Sequence, residues 1–149
     1  MKLRYNRPNS SSSNLINTDQ LNWGTVTPQQ VITGRTGELV AFQYFAEIYG
    51  VKSVKWVNEV KESGLPFDII IEGENNSKEY IEVKSTSHAN KDWFVISVKE
   101  WQFAVEQGGS FTIARVLVSH GNLVRITTYR NPVKLCKSRH LQLAILSSQ

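Results

Sequence analysis

The stretch 67–72 (FDIIIE) constrains this chain more than any other. It is a near-continuous apolar run bounded by Ser63-Gly64-Leu65-Pro66 and by a turn at 73–77 (GENNS). Such a run reads as a central strand covered on both faces. Asp68 lies inside it, where a carboxylate needs a partner. The next segment, 79–85 (EYIEVKS), alternates in the manner of a strand. Ile81 and Val83 take one face, and Tyr80, Glu82 and Lys84 the other. With the turn at 73–77, antiparallel pairing sets 72 opposite 78, 70 opposite 80, and Asp68 opposite Glu82. Opposed Cβ atoms lie about 4.5–5.5 Å apart. Lys84 shares the face of Glu82, roughly 6.6–6.8 Å along the strand.

Two carboxylates this close repel, so one takes up a proton or a cation joins them. Hard oxygen donors suit Mg²⁺ or Mn²⁺, with Asp68 and Glu82 as ligands. Lys84 beside the pair can orient a metal-bound water or help to deprotonate it. This is equipment for hydrolysing a phosphodiester. Glu38 sits on the same helical stripe as Phe42 and Phe45 and faces the core. It can reach the metal or hydrogen-bond one of its ligands, which completes a catalytic set of Glu38, Asp68, Glu82 and Lys84. Singly, these residues are ordinary. An ExK on a strand is usually a solvated ion pair, and Glu38 alone fits a favourable charge near a helix N-terminus. The signal is the combination.

The elements around them read as follows. Residues 1–30 form a flexible polar tail, rich in Ser, Asn, Gln and Thr, in which Trp23 can dock onto the domain. Residues 31–149 form one domain. A helix runs from about Gly34 to Tyr49 and stops at Gly50. Strands follow at 54–60, 67–72 and 79–85, then a polar loop at 86–92 and a short strand at 93–96. Ser97 and Glu100 form a capping box for a second helix, which ends at Gly108-Gly109. Two strands, 111–118 and 123–129, join around Gly121-Asn122. Residues 141–146 are apolar and fit either element type. The sum is an α/β domain, a central mixed sheet flanked by helices.

Composition narrows the function. There is one cysteine, Cys136, so no internal disulfide and no cysteine-rich zinc site forms. His88, His120 and His140 share no metal-ligand spacing. No apolar run reaches the ~18 residues of a membrane helix, and the N-terminus lacks a signal-peptide segment. The expected setting is intracellular, nuclear or cytoplasmic, with no membrane partner. The net charge of +4 is uneven. Residues 51–100 carry seven basic and nine acidic side chains, and residues 101–149 carry six basic and one acidic. An acidic middle beside a basic end suits a metal site next to a polyanion groove. Lys91 in the loop, with Arg115 and Arg125 on neighbouring strands, are the candidates for phosphate contact. Trp93 and Trp101 flank the second helix, where core packing or base stacking are the two roles open to them.

The pattern of helix acid, strand Asp, ExK and helix resembles the PD-(D/E)XK nuclease superfamily. That resemblance implies a restriction-endonuclease-like αβββαβ core, metal-dependent cleavage of DNA or structured nucleic acid, and in many members a homodimer. Phe67 separates Pro66 from Asp68, so the literal PD dipeptide is absent. A closer likeness rests on GRTGE (34–38), FDIII (67–71), YIEVKST (80–86) and WFVIS…EW (93–101). These phrases resemble the NO VEIN C-terminal domain family. This second resemblance implies a plant, nuclear setting. It also opens an alternative: a non-catalytic nuclease-fold module that binds nucleic acid or a protein partner.

Overall fold

The first helix opens on a capping box upstream of the residues whose spacing announces it. Thr27 Oγ1 accepts from the Gln30 N–H (3.2 Å), and Gln30 Oε1 accepts from the Thr27 N–H (2.8 Å). Pro28 follows at the first helical position, where its missing N–H costs nothing. The computed structural model describes residues 1–5 and 26–144. In it α1 (Pro28–Tyr49) ends at Gly50, whose φ of 89° suits glycine.

The chain then forms β2 (Val54–Trp56), β3 (Ile69–Glu72), β4 (Lys78–Thr86), β5 (Trp93–Val95) and α2 (Val98–Gln107). It closes with β6 (Phe111–Ser119), β7 (Asn122–Arg130), α3 (Pro132–Lys137) and β8 (Leu141–Ala144). The main sheet is mixed, in the order β2-β3-β4-β6-β7. Only the central pair β4 and β6 is parallel. Parallel neighbours need a crossover, and β5 with α2 supplies it.

Both faces of this sheet are covered, which explains the apolar runs. On one face Val40, Ala41 and Phe45 of α1 pack on Ile69, Ile71, Ile81, Val83 and Val116. On the other, Phe67, Phe94, Ile96, Ala104, Phe111 and Ile113 form a second core. Each fully buried Ile or Phe contributes about 1.5–3 kcal/mol. The Ile81/Val83 against Tyr80/Glu82/Lys84 division of β4 follows from this. Its odd positions meet α1, and Tyr80 faces the second core.

Three expectations change. The polar tail is not wholly a tail, because β1 (Lys2–Tyr5) is a strand and residues 28–30 belong to α1. β1 is the middle strand of a second sheet, β5-β1-β8, and Leu3 is completely buried in it. Four residues are too few to show a period, and their partners lie far along the chain. Residues 6–25, including Trp23, lie outside the described residues. The strand expected at 54–60 ends at Trp56, because the chain leaves the ladder at Val57 and Asn58 enters a polar network. The 141–146 segment resolves as β8 over its first four residues. Between β6 and β7, His120 and Gly121 form the turn with φ of 51° and 77°. That pairing of positive φ values fits a tight hairpin. Among the described residues no helix is long and apolar enough to cross a membrane.

Candidate active site

The β3–β4 register is the one the turn implies, with Ile70 opposite Tyr80 and Glu72 opposite Lys78. The ladder ends at Ile69 and Ile81. At Asp68 the backbone bends. Its N–H donates to the Ile81 carbonyl (2.8 Å) on one neighbour, and its carbonyl accepts from the Val57 N–H (2.9 Å) on the other. Asp68 Oδ2 then accepts from the Val83 N–H at 2.8 Å. The carboxylate continues the ladder where the main chain has left it.

Asn58 joins this acid to α1. Its side-chain amide donates to Asp68 Oδ1 (2.7 Å) and to Glu38 Oε1 (2.9 Å). Its Oδ1 accepts from the N–H and the hydroxyl of Ser63 (2.9 and 2.6 Å). Both donors and both acceptor sites of the amide are therefore used. Trp56 Nε1 donates to the same Glu38 oxygen at 3.2 Å. Arg35 lies over the Trp56 ring, 4.2 Å from its centroid. Its guanidinium donates to the carbonyls of Asn58 and Glu59, which holds the loop after β2.

Lys84 forms the other half of the site. Its Nζ lies 3.1 Å from Glu82 Oε1 and 2.8 Å from Glu100 Oε2. All three side chains are largely buried. Glu100 Oε2 also accepts from the Ser97 N–H (2.9 Å), so one residue caps α2 and holds the lysine.

The charges do not balance. Four carboxyl groups, Glu38, Asp68, Glu82 and Glu100, lie in this network, and Lys84 is the cation paired with two of them. Burial pushes the Asp68 carboxyl up to about 7, with Glu38 adding to the rise; the Val83 N–H and Lys84 oppose it. Burial also raises Glu82 well above the usual range, aided by Asp68 and Glu100 against the pull of Lys84. Burial would lower Lys84, but Glu82 and Glu100 outweigh it and keep the ammonium charged. Burial would likewise raise Glu100, but Lys84 and the Ser97 N–H outweigh it and hold Glu100 low. The ion pair thus belongs chiefly to Lys84 and Glu100, and the excess of carboxyl groups over cations is met by proton uptake on Glu82 and Asp68.

That excess has a measurable signature without divalent cation. Folded Asp68 titrates near 7 and an unfolded aspartate near 3.8, so the folded state binds more protons between these values. Its contribution to stability therefore falls as pH rises from about 4 to 7. In EDTA, the urea midpoint of Asp68→Asn is expected to gain on the parent between pH 5 and 7.5. A difference that stays flat across that window would show that Asp68 titrates normally.

Among the described residues no group of three or more His, Cys, Asp or Glu side chains is arranged to hold a metal. The available donor set is the pair Asp68 and Glu82. It fits Mg²⁺, which takes one or two carboxylates and keeps water or phosphate in its other positions. A cation there would take the place of the protons that burial favours on this pair.

The basic candidates gather around the 86–92 loop. Arg115 pairs with Lys84 in the parallel ladder. Its guanidinium donates to the carbonyls of Lys84, Ser85, Lys91 and Trp93 at 3.1–3.3 Å. It is largely buried, and burial brings it down to about 10, so it stays charged at neutral pH. Lys91 Nζ sits over Trp93, 4.2 Å from the ring centroid, and Arg125 donates to the Ala89 carbonyl at 3.4 Å. Trp101 packs with the second core. Two members of the site escaped the sequence reading. Glu100 showed only as a helix cap, since nothing local places that helix start beside Lys84. Asn58 left a usable signal, a polar residue in phase with Val54 and Trp56 on an apolar face.

The comparisons bear on the same segments. The family described as Protein NO VEIN, C-terminal, matches residues 37–128, from the glycine before Glu38 to near the end of β7. Protein NO VEIN of Arabidopsis thaliana is 47% identical over 152 residues, covering 98% of this chain. Protein NO VEIN-LIKE of the same plant is 47% identical over 140 residues, covering 93% of it. The chain spans 6% and 21% of the lengths of these two relatives. No solved structure matches. With the matched segment containing Glu38, Asn58, Asp68, Glu82, Lys84 and Glu100, this chain belongs to the NO VEIN C-terminal domain family.

Proposed function

We propose that the chain is a PD-(D/E)XK-type nuclease domain with a restriction-endonuclease-like fold. It hydrolyses phosphodiesters of DNA or structured nucleic acid with Mg²⁺ or Mn²⁺. The convergence of Asp68, Glu82 and Lys84 where β3 meets β4 carries this reading. The element order is α1-β2-β3-β4-β5-α2-β6, and with β5 set aside in the second sheet it agrees with the αβββαβ core.

Asp68 and Glu82 are the residues that would hold the ion. Mg²⁺ bound there supplies positive charge to the scissile phosphate and lowers the pKa of a water. Lys84, kept charged by Glu82 and Glu100, orients the attacking water and offsets charge that develops on the phosphate. Glu38 is a positioning residue. It accepts from the Asn58 amide and so fixes the group that orients the Asp68 carboxylate.

Two observations favour a second reading, a nuclease-fold module that binds nucleic acid or a protein partner without cleaving. Both Asp68 oxygens already have protein donors, and Lys84 is closed between two carboxylates. Purified chain is incubated with plasmid and branched DNA plus Mg²⁺ or Mn²⁺. Nicking is expected, and EDTA and Glu82→Ala each abolish it. Nicking that survives Glu82→Ala belongs to a contaminant and overturns the nuclease reading. Calorimetric titration with Mn²⁺ separates the two readings. No binding heat, even with DNA present, selects the non-catalytic module.

A further inference from the structure

A cavity of about 500 Å³ opens beside Lys84 on the same face of the main sheet. The ladder fixes its place. Lys84 pairs with Arg115 and Thr86 with Leu117, and Thr86 and Arg115 both line the cavity. Thr86 is two residues beyond Lys84, about 6.6 Å along the strand. The volume falls within the range of small-molecule sites, roughly 300–1,000 Å³.

Two chemistries meet there. The first is positive charge. Lys91, Arg115 and Arg125 line the cavity, and Lys2 lies over the Trp93 ring together with Lys91, at 4.3 and 4.2 Å. Asp92 is the acid in the lining, and it is paired to Arg4 at 3.3 Å. The second is a tilted pair of aromatic rings, Tyr129 half-buried over the buried Phe94, with polar edges. The Phe94 and Tyr129 rings lie 6.2 Å apart at an interplanar angle of 34°, and Thr86 and Thr127 add hydroxyls. Anionic groups suit the first feature and a planar heterocycle the second.

We infer that this cavity binds one nucleotide unit of a nucleic-acid strand. Lys91 and Arg125 take the phosphate, and the base lies against Tyr129. Arg115 spends both terminal nitrogens on main-chain carbonyls and positions the loop that carries Lys91. The unit bound is the neighbour of the phosphate that Lys84 faces, and this assignment rests on the nuclease reading of that site.

The test is calorimetry on the full chain in EDTA, where no metal-dependent cleavage occurs. The probes are 5′-dAMP, deoxyadenosine and inorganic phosphate. The nucleotide is expected to bind at least about tenfold tighter than either fragment, since one stacked base is worth about 1–3 kcal/mol. Lys91→Gln and Arg125→Gln should each weaken it about tenfold. Tyr129→Leu should bring dAMP down to the affinity of inorganic phosphate without moving phosphate itself. Phosphate binding as tightly as dAMP, or no binding of dAMP, overturns the inference. A chain that binds dAMP in EDTA but never nicks DNA keeps the cavity and loses the nuclease reading. A chain that nicks DNA and binds no dAMP loses the cavity alone.

Discussion

Changing Lys84 to methionine is expected to lower metal-dependent nicking at least about 100-fold, the scale of losing one electrostatic stabiliser of a transition state. It is also expected to cost about 3–5 kcal/mol of stability at neutral pH, the range for breaking a buried ion pair from one side. Methionine keeps an unbranched apolar stem and removes the charge. Glu82 and Glu100 then stay buried with no ammonium at 3.1 and 2.8 Å. The sign with pH follows from the same contacts. Without Lys84 the Glu82 carboxyl rises further and Glu100 loses the partner that holds it low, so the variant recovers stability relative to the parent as pH falls from 7 to 5. Glu100→Gln removes the chief partner but leaves Glu82 at 3.1 Å to take over the pair with Lys84, so it should cost less. Urea unfolding at both pH values reads the stability, and nicking is compared at equal folded fraction. A Lys84→Met midpoint equal to that of the parent at pH 7 would mean that the pair does not form in solution.

The second large effect reverses an ordinary rule. Glycine to alanine inside a helix usually stabilises by roughly 0.5–1 kcal/mol. Gly34 on α1 should obey, because a Cβ there meets nothing within 4 Å. Gly37, one turn later, should not. Its Cβ would lie 1.7 Å from Ser85 Oγ and 2.6 Å from Ser85 Cβ. Rotating the hydroxyl clears the first contact but not the second. The helix must lift from β4, an overpacking cost of about 3 kcal/mol, at the upper end of the usual range. Glu38 moves with that lift, so nicking should fall with stability. Ser85→Gly removes both offending atoms, and the double variant should recover most of the loss. Thermal melts of the two single alanine variants and the double variant decide it. Gly34→Ala and Gly37→Ala shifting in the same direction would place α1 farther from the sheet.

Much of the site was legible because it is local in sequence. The turn at 73–77 sets the β3–β4 register, and Glu82 and Lys84 share a face by strand period alone. What lay beyond reach depends on contacts distant along the chain. Glu100 meets Lys84 only because the β5–α2 crossover returns the helix start to β4. Arg115 was recognised as basic, but its four carbonyl partners come from a loop and two strands that only the folded chain brings together. The fold shows the same division. The central strands announce themselves by apolar runs, because sheet burial on both faces leaves no polar phase. β1 gave no such sign, since KLRY becomes a strand only through β5 and β8.

The position of β1 also sets an order of events. Residues 2–5 leave the ribosome before residues 93–95 and 141–144, the strands they pair with. β1 must therefore wait until residue 144 has emerged before both its partners are present. Contacts between α1, β2, β3 and β4 close within residues 28–86 and can form while synthesis continues. Long loops of this kind slow folding, because the entropy of closure precedes the reward. The smaller sheet is thus the last piece to lock. It adds Leu3 to the core beneath β6, so β1 closes the second core after its other walls are in place.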